Sequence, residues 1–322
     1  MDSKIIARLV KRFVEKPGRM DMGSGKMSRR YKCKPQEAFE ARRIARDILR
    51  GNTPKTAPEG VKILIFDIET APLLGYVWGT FKQHISPSQL LTKMHYMLTW
   101  VAKWSGSEKL ISAKMTVEEI DDEDDSRISQ QLRDLFDEAD IVIGHNIDKF
   151  DIPIVNTRCL IAGIKPPSPY QTVDTFKVSK KSFRFPNNKL QTIANAKGMD
   201  GKSKTDFDMW KDCLIGSNDN RKKAIDAMLK YNQQDVVVQE EVYLWMRPWI
   251  KSHPNVALYV EDTEMRCTNC GSDNLSDDKE YTTGVNKFKT YRCNCCGAIA
   301  GRARKSTVKG DKKNTTLMPV AR

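Results

Sequence analysis

The chain has 322 residues, of which 39% are apolar and 30% charged, enough to bury a core and cover a water-facing surface. No apolar run approaches the ~18 residues of a membrane-spanning helix. The basic, amphipathic start MDSKIIARLVKRF lacks the apolar run and cleavage site of a secretory signal, so a cytoplasmic protein that avoids membranes is expected.

The net charge of +13 is concentrated at the ends. Residues 1–60 hold 16 Lys/Arg against 7 Asp/Glu, residues 61–260 hold 26 of each, and residues 261–322 hold 12 against 8. Basic flanks around a balanced middle point to a polyanionic partner, because neutralising phosphates releases counterions. In chain order, Ile5, Ile6, Leu9, Val10, Phe13 and Val14 recur at helical spacing. A second helix is expected after Pro35, with Ala38, Ala41, Ala45, Ile48 and Leu49 on one face and Arg42, Arg43, Arg46 and Arg50 crowding another. This basic helical unit (1–50) is expected to be a helix-turn-helix or a docking module for a polymerase or helicase. Residues 51–60 have linker composition.

From there strands and helices alternate. The nearly continuous apolar run VKILIFDI (61–68) suits a strand buried on both faces. MLTWVAKW (97–104) and KLISAKM (109–115), separated by SGSE, suit an antiparallel pair. A helix over 126–138, a strand over 140–144, a helix over roughly 149–162, a strand over 172–176 and a helical stretch over 221–250 follow. The expected fold class is α/β, a mixed sheet flanked by helices over 61–255. The tail 301–322 is basic, with few large apolar residues, and disorder is expected there.

Three sets of residues carry chemistry in this stretch. Asp67 and Glu69 end the most apolar strand two residues apart, so they leave the same face. A buried charge is costly unless it is paired or holds a metal. The similar pair Asp121 and Glu123 lies within EEIDDEDD, where a solvated loop or helix start is expected instead. Asp151 follows the strand 140–144 in GHNIDKFD, where a strand-to-helix turn brings Asn146, Phe150 and Asp151 to the sheet edge. Tyr231 and Asp235, in YNQQD, share one face of an otherwise apolar helix.

Taken in order, FDIET, GHNIDKFD and YNQQD resemble the three exonuclease motifs of the DnaQ-like branch of the RNase H-like superfamily, in its tyrosine (DEDDy) subtype. Phage-encoded exonucleases, with a similar DIET-AP start and Pro248–Trp249 ending, are the nearest in kind. The resemblance implies a 3′→5′ exonuclease with two Mg²⁺ or Mn²⁺ ions, in phage DNA replication, proofreading or repair. It implies that Asp67 bridges both ions, that Glu69 and Asp235 complete one site, and that Asp151 holds the other ion through water. Tyr231 would orient the attacking water, while Thr70, Asn146 and Phe150 would position the terminal nucleotide. Oxygen ligands without histidine suit such hard ions. His145 is read as a packed or hydrogen-bonded strand-end histidine rather than a base, and Lys180, Lys181, Arg184, Lys189 and Lys202 as a grip on the substrate backbone. DNA is expected over RNA as partner, with a polymerase or other replication protein as a second one. The alternatives are an RNA 3′→5′ exonuclease and a DNA-binding factor with a degenerate nuclease core.

Five of the eight cysteines fall within 267–296. Cys267-x2-Cys270 and Cys293-x2-Cys296, each followed by glycine, have the spacing of a closed structural Zn²⁺ site. With a hairpin of EYTT and FKTYR around Gly284, they resemble a zinc ribbon over 262–300. Cys295 is a spare thiol able to compete with Cys293 or Cys296.

Overall fold

The computed structural model describes residues 3–15, 29–34, 37–38, 41, 60–92, 94–199, 207–260, 264–284 and 287–302. Arg42, Arg43, Arg46 and Arg50, the proposed linker up to 59, Lys202 and the tail from 303 lie outside the described residues. The chain divides into two compact units: residues 59–254, and residues 1–58 together with 255–322.

At the N-terminus, α1 (Ser3–Glu15) buries Leu9 and Phe13, four residues apart on one face. The Phe13 ring meets Tyr31 edge-on, with centroids 6.0 Å apart, and Ala38 and Ala41 close the cluster.

The larger unit is built on a five-stranded sheet of β1 (Ile63–Thr70), β2 (Met97–Trp104), β3 (Leu110–Lys114), β4 (Ile141–Gly144) and β5 (Gln171–Asp174). Their order is β3-β2-β1-β4-β5. β1 pairs antiparallel with β2 and parallel with β4, so the sheet is mixed. As the carrier of both pairings, β1 is central, and its residues 63–66 are all buried. β3, with one neighbour, is only partly covered.

Helices flank the sheet. α2 (Val117–Asp121) starts at a capping box, in which Thr116 Oγ1 accepts from Glu119 N and Glu119 Oε2 from Thr116 N. It carries Asp121, which pairs with Arg221 at 2.6 Å. α3 (Ser126–Glu138) buries Ile128, Leu132 and Phe136, spaced by four, and Phe136 packs edge-on against Phe66 at 4.8 Å. α4 (Asp151–Ile161) follows β4. Then come α5 (Thr175–Ser182), α6 (Leu190–Lys197), α7 (Asp208–Leu214) and the 29-residue α8 (Asn218–Met246). The strand expected over 172–176 stops at Asp174, because that carboxylate accepts from the Phe176 and Lys177 amides and starts a helix. No described helix is long and apolar enough to cross a membrane.

A separate three-stranded sheet, ordered β6-β7-β8, is formed by β6 (Leu275–Thr282), β7 (Lys287–Cys293) and β8 (Ile299–Arg302). The expected hairpin corresponds to β6 and β7, and β8 adds a third antiparallel strand.

Gly144, at the end of β4, occupies a place where backbone and side chains converge. A Cβ there would overlap the Ile147 Cγ2 methyl and lie 3.2 Å from both Gln239 Nε2 and Phe66 O. Gly144→Ala is therefore expected to cost about 1–3 kcal/mol through overpacking, read as a lower urea midpoint with an unchanged m-value.

Candidate active site

β1 presents Asp67 and Glu69 two residues apart, and both remain partly accessible. α8 brings Asp235, only 5% exposed, to the same place. One carboxylate oxygen from each of the three lies within 4.8 Å of the others.

Asn232 sets this register. It is fully buried, and its Nδ2 donates to Thr99 Oγ1 at 3.2 Å and to the backbone oxygen of Asp67 at 3.4 Å. Asp235 is three residues further along the helix, on a neighbouring face. A second anchor, the Glu240–Lys103 ion pair, has an N–O distance of 2.5 Å and both side chains nearly covered. Glu240 also accepts from Gly106 N at 3.1 Å.

Three carboxylates this close repel one another. At an effective dielectric of ~20, two full charges about 5 Å apart cost roughly 3 kcal/mol. A cation among these oxygens would offset that repulsion, and an all-oxygen donor set suits a hard divalent ion.

Asp151 stands beside this group rather than in it. It is 2% exposed, opens α4, and its Oδ1 accepts from Ile68 N at 3.2 Å, between the two β1 acids. Burial pushes its carboxyl up to about 7, opposed by the Ile68 amide and reinforced by the charge of Asp174.

The turn that delivers Asp151 is held by a residue sequence reasoning passed over. Asp174 is 5% exposed, and its Oδ1 accepts from Asn146 N and Phe176 N, each at 2.9 Å, so one carboxylate ties the β4–α4 turn to the start of α5. Asn146 takes a left-handed φ of 71°, which asparagine tolerates better than most residues. The available signal was an Asp directly before Thr-Phe-Lys, an N-cap pattern.

His145 Nδ1 lies 2.9 Å from Thr175 Oγ1 and Nε2 lies 2.8 Å from Asn188 O, so both ring nitrogens are engaged in structural bonds. Phe150 is 40% exposed at the head of α4. Thr70 follows an irregularity in the β1–β2 register, between Glu69 and Thr70. Tyr231 meets Trp210 of α7 edge-on at 6.1 Å, a partner the sequence did not suggest. Lys180 and Lys181 line a cavity of about 310 Å³ with Asn146, Lys149, Phe176 and Lys177. Arg184 instead donates to the backbone oxygens of Lys180 and Phe183.

In the other unit, the Sγ atoms of Cys267, Cys270, Cys293 and Cys296 all lie within 4.8 Å of one another. Gly271 and Gly297 have φ of 72° and 79°, and their amides donate to the carbonyls of Cys267 and Cys293 at 2.9 Å. The Asn269 and Cys296 amides donate to the sulfurs of Cys267 and Cys293. Cys295 is buried nearby but is not one of the four. The cluster is consistent with a zinc ribbon.

Residues 93–247 match a family model described as the RNase_H superfamily. The larger unit is RNase H-like. In this RNase H-like unit the match includes Asp151, Tyr231 and Asp235, whereas Asp67 and Glu69 precede it. A solved structure of the family B DNA polymerase from the hyperthermophilic archaeon Pyrobaculum calidifontis is 14% identical, with a TM-score of 0.43. That match covers 63% of this chain and 26% of the polymerase, so the chain spans about a quarter of its length. No curated protein matches the chain.

Asp174→Ala is expected to lower stability by about 1–2 kcal/mol, as the loss of a buried helix cap does. Hydrogen exchange should then quicken at the Asn146 and Phe176 amides, while β1 amides keep their protection.

Proposed function

We propose that this protein is a metal-dependent 3′→5′ exonuclease that removes nucleotides from DNA. The observation that carries the reading is the convergence of Asp67, Glu69 and Asp235, with Asp151 bonded to the backbone between the first two. In this reading Asp67, Glu69 and Asp235 hold Mg²⁺ or Mn²⁺, and Asp151 serves a second ion through water. When bound, such ions lower the pKa of a water and neutralise the charge that develops on the phosphodiester.

The chain's own residues supply the rest. Tyr231, one turn before Asp235, directs the attacking water through its hydroxyl, and Trp210 limits where the phenol ring can go. Thr70, Asn146 and Phe150 surround the terminal nucleotide, with the exposed Phe150 ring available for stacking on its base. Lys149, Lys177, Lys180 and Lys181 meet the phosphates behind it. The cysteine cluster holds Zn²⁺ as a closed structural site. The basic flanks add affinity of the kind that falls with salt.

With 5′-labelled DNA and RNA strands, Mg²⁺ or Mn²⁺ should produce a ladder shortening from the 3′ end, faster on DNA. Asp67→Ala should remove it, and Tyr231→Phe should slow it about 100-fold with metal binding kept. A ladder without metal, or full activity in Asp67→Ala, rules the reading out, and RNA cut as fast as DNA moves the substrate to RNA. Elemental analysis of the full chain should find zinc that is lost in Cys267→Ser, and zinc retained there would contradict the ribbon site.

A further inference from the structure

The segment joining β1 to β2, residues 71–96, takes no part in the site described above. Its root is fastened where the carboxylate strand ends. Ala71 N donates to Tyr96 O at 3.0 Å, Leu74 N to Thr92 Oγ1 at 2.6 Å, and Tyr76 N to Gln89 O at 2.8 Å. At the last of those bonds and beyond it the chain carries three aromatic rings in water: Tyr76 is 71% exposed, Trp78 96% and Phe81 80%. One exposed ring needs no explanation. Three within six residues, on a stretch held at its base, form a patch of the kind that marks an interaction site.

Charge points to the class of occupant. Residues 71–96 contain no Asp or Glu, although the whole chain has 41, and their charged residues are Lys82 and Lys93. Lys82 Nζ lies 5.4 Å from the centre of the Phe81 ring, which places a cation beside an exposed aromatic face. Aromatic faces with interleaved positive charge and no acid suit a single strand of nucleic acid, whose bases stack and whose phosphates repel carboxylates. Position agrees with this. Tyr76 is seven residues past Glu69, so the chain can carry it no more than about 25 Å away, a distance of a few nucleotides.

We propose that Tyr76, Trp78 and Phe81 are a stacking platform for unpaired bases of the strand whose 3′ end lies at Asp67, Glu69 and Asp235. This rests on the nuclease reading for the location of that end. The platform engages any base, because each has a π-face, and it favours a frayed or single-stranded end over a paired one.

The test is fluorescence anisotropy with full-length protein and a 5′-fluorescein oligothymidylate, with no Mg²⁺ or Mn²⁺ added. Trp78→Ala and Phe81→Ala should each weaken binding about 10-fold. Trp78→Phe should restore most of the loss, whereas Trp78→Leu, apolar but without a π-face, should not. Unchanged affinity in both alanine variants overturns the platform, and so does wild-type affinity in Trp78→Leu. Wild-type protein that sediments as a dimer, split by Trp78→Ala, would overturn it by placing a second copy on the patch. Failure of the nuclease reading looks different: wild-type protein leaves the strand intact with Mg²⁺ while the ring variants still bind weakly. Failure of the platform alone leaves strand shortening in place with unaltered affinities.

Discussion

The arrangement of this site depends on the seating of one helix on one strand. Asn232 is buried with no exposure, and its amide reaches both the Thr99 hydroxyl and the carbonyl of Asp67. Burying an amide without partners is costly, so few registers of α8 on β1 and β2 are tolerable. The one adopted delivers Asp235 to Asp67 and Glu69 despite their mutual repulsion. The buried Lys103–Glu240 pair, two turns on, locks the same helix against β2. Folding energy from the core thus holds three carboxyl groups within 4.8 Å of one another, where a cation would offset their repulsion.

The lengths of the strands matter as much. β4 ends at Gly144 while β1 runs on to Thr70, leaving the Ile68 amide beyond the last parallel pair. Asp151 takes that amide, which places a buried carboxyl against the acid-bearing end of β1. The turn between β4 and Asp151 is narrow because Gly144 has no Cβ, and Asp174 holds it from the neighbouring strand. Two parallel strand ends and the start of α5 are therefore joined by one carboxylate.

The two candidate metal centres follow opposite chemistry within one chain. Around Asp67 the donors are oxygens, with Asp67 and Glu69 partly open to solvent and Asp235 buried, a set that suits a hard ion. Around Cys267 the donors are four sulfurs on two tight turns, nearly all buried and closed to a further ligand. One arrangement suits exchange of ligands at the metal, the other suits a fold too small to hold itself by apolar burial alone.

Much of this is legible in the amino-acid sequence, because it is local. Apolar runs and their spacing marked β1, β2 and β4 and the helix over 126–138, and paired Cys-x2-Cys spacing marked the thiolate cluster. The carboxylates were legible as strand-end or helix-face acids in a recurring order. Tertiary structure decided what depends on partners distant in sequence. Asp235 joins Asp67 and Glu69 while Asp151 binds a backbone amide beside them. Asp174, which reads as a plain strand residue, organises the turn. Arg221 of α8 takes Asp121, so that one acid of the second Asp-x-Glu pair bonds α2 to α8. A carboxylate's meaning lies in which donor, cation or like charge meets it, and across the 167 positions between Asp67 and Asp235 only the packed core determines that.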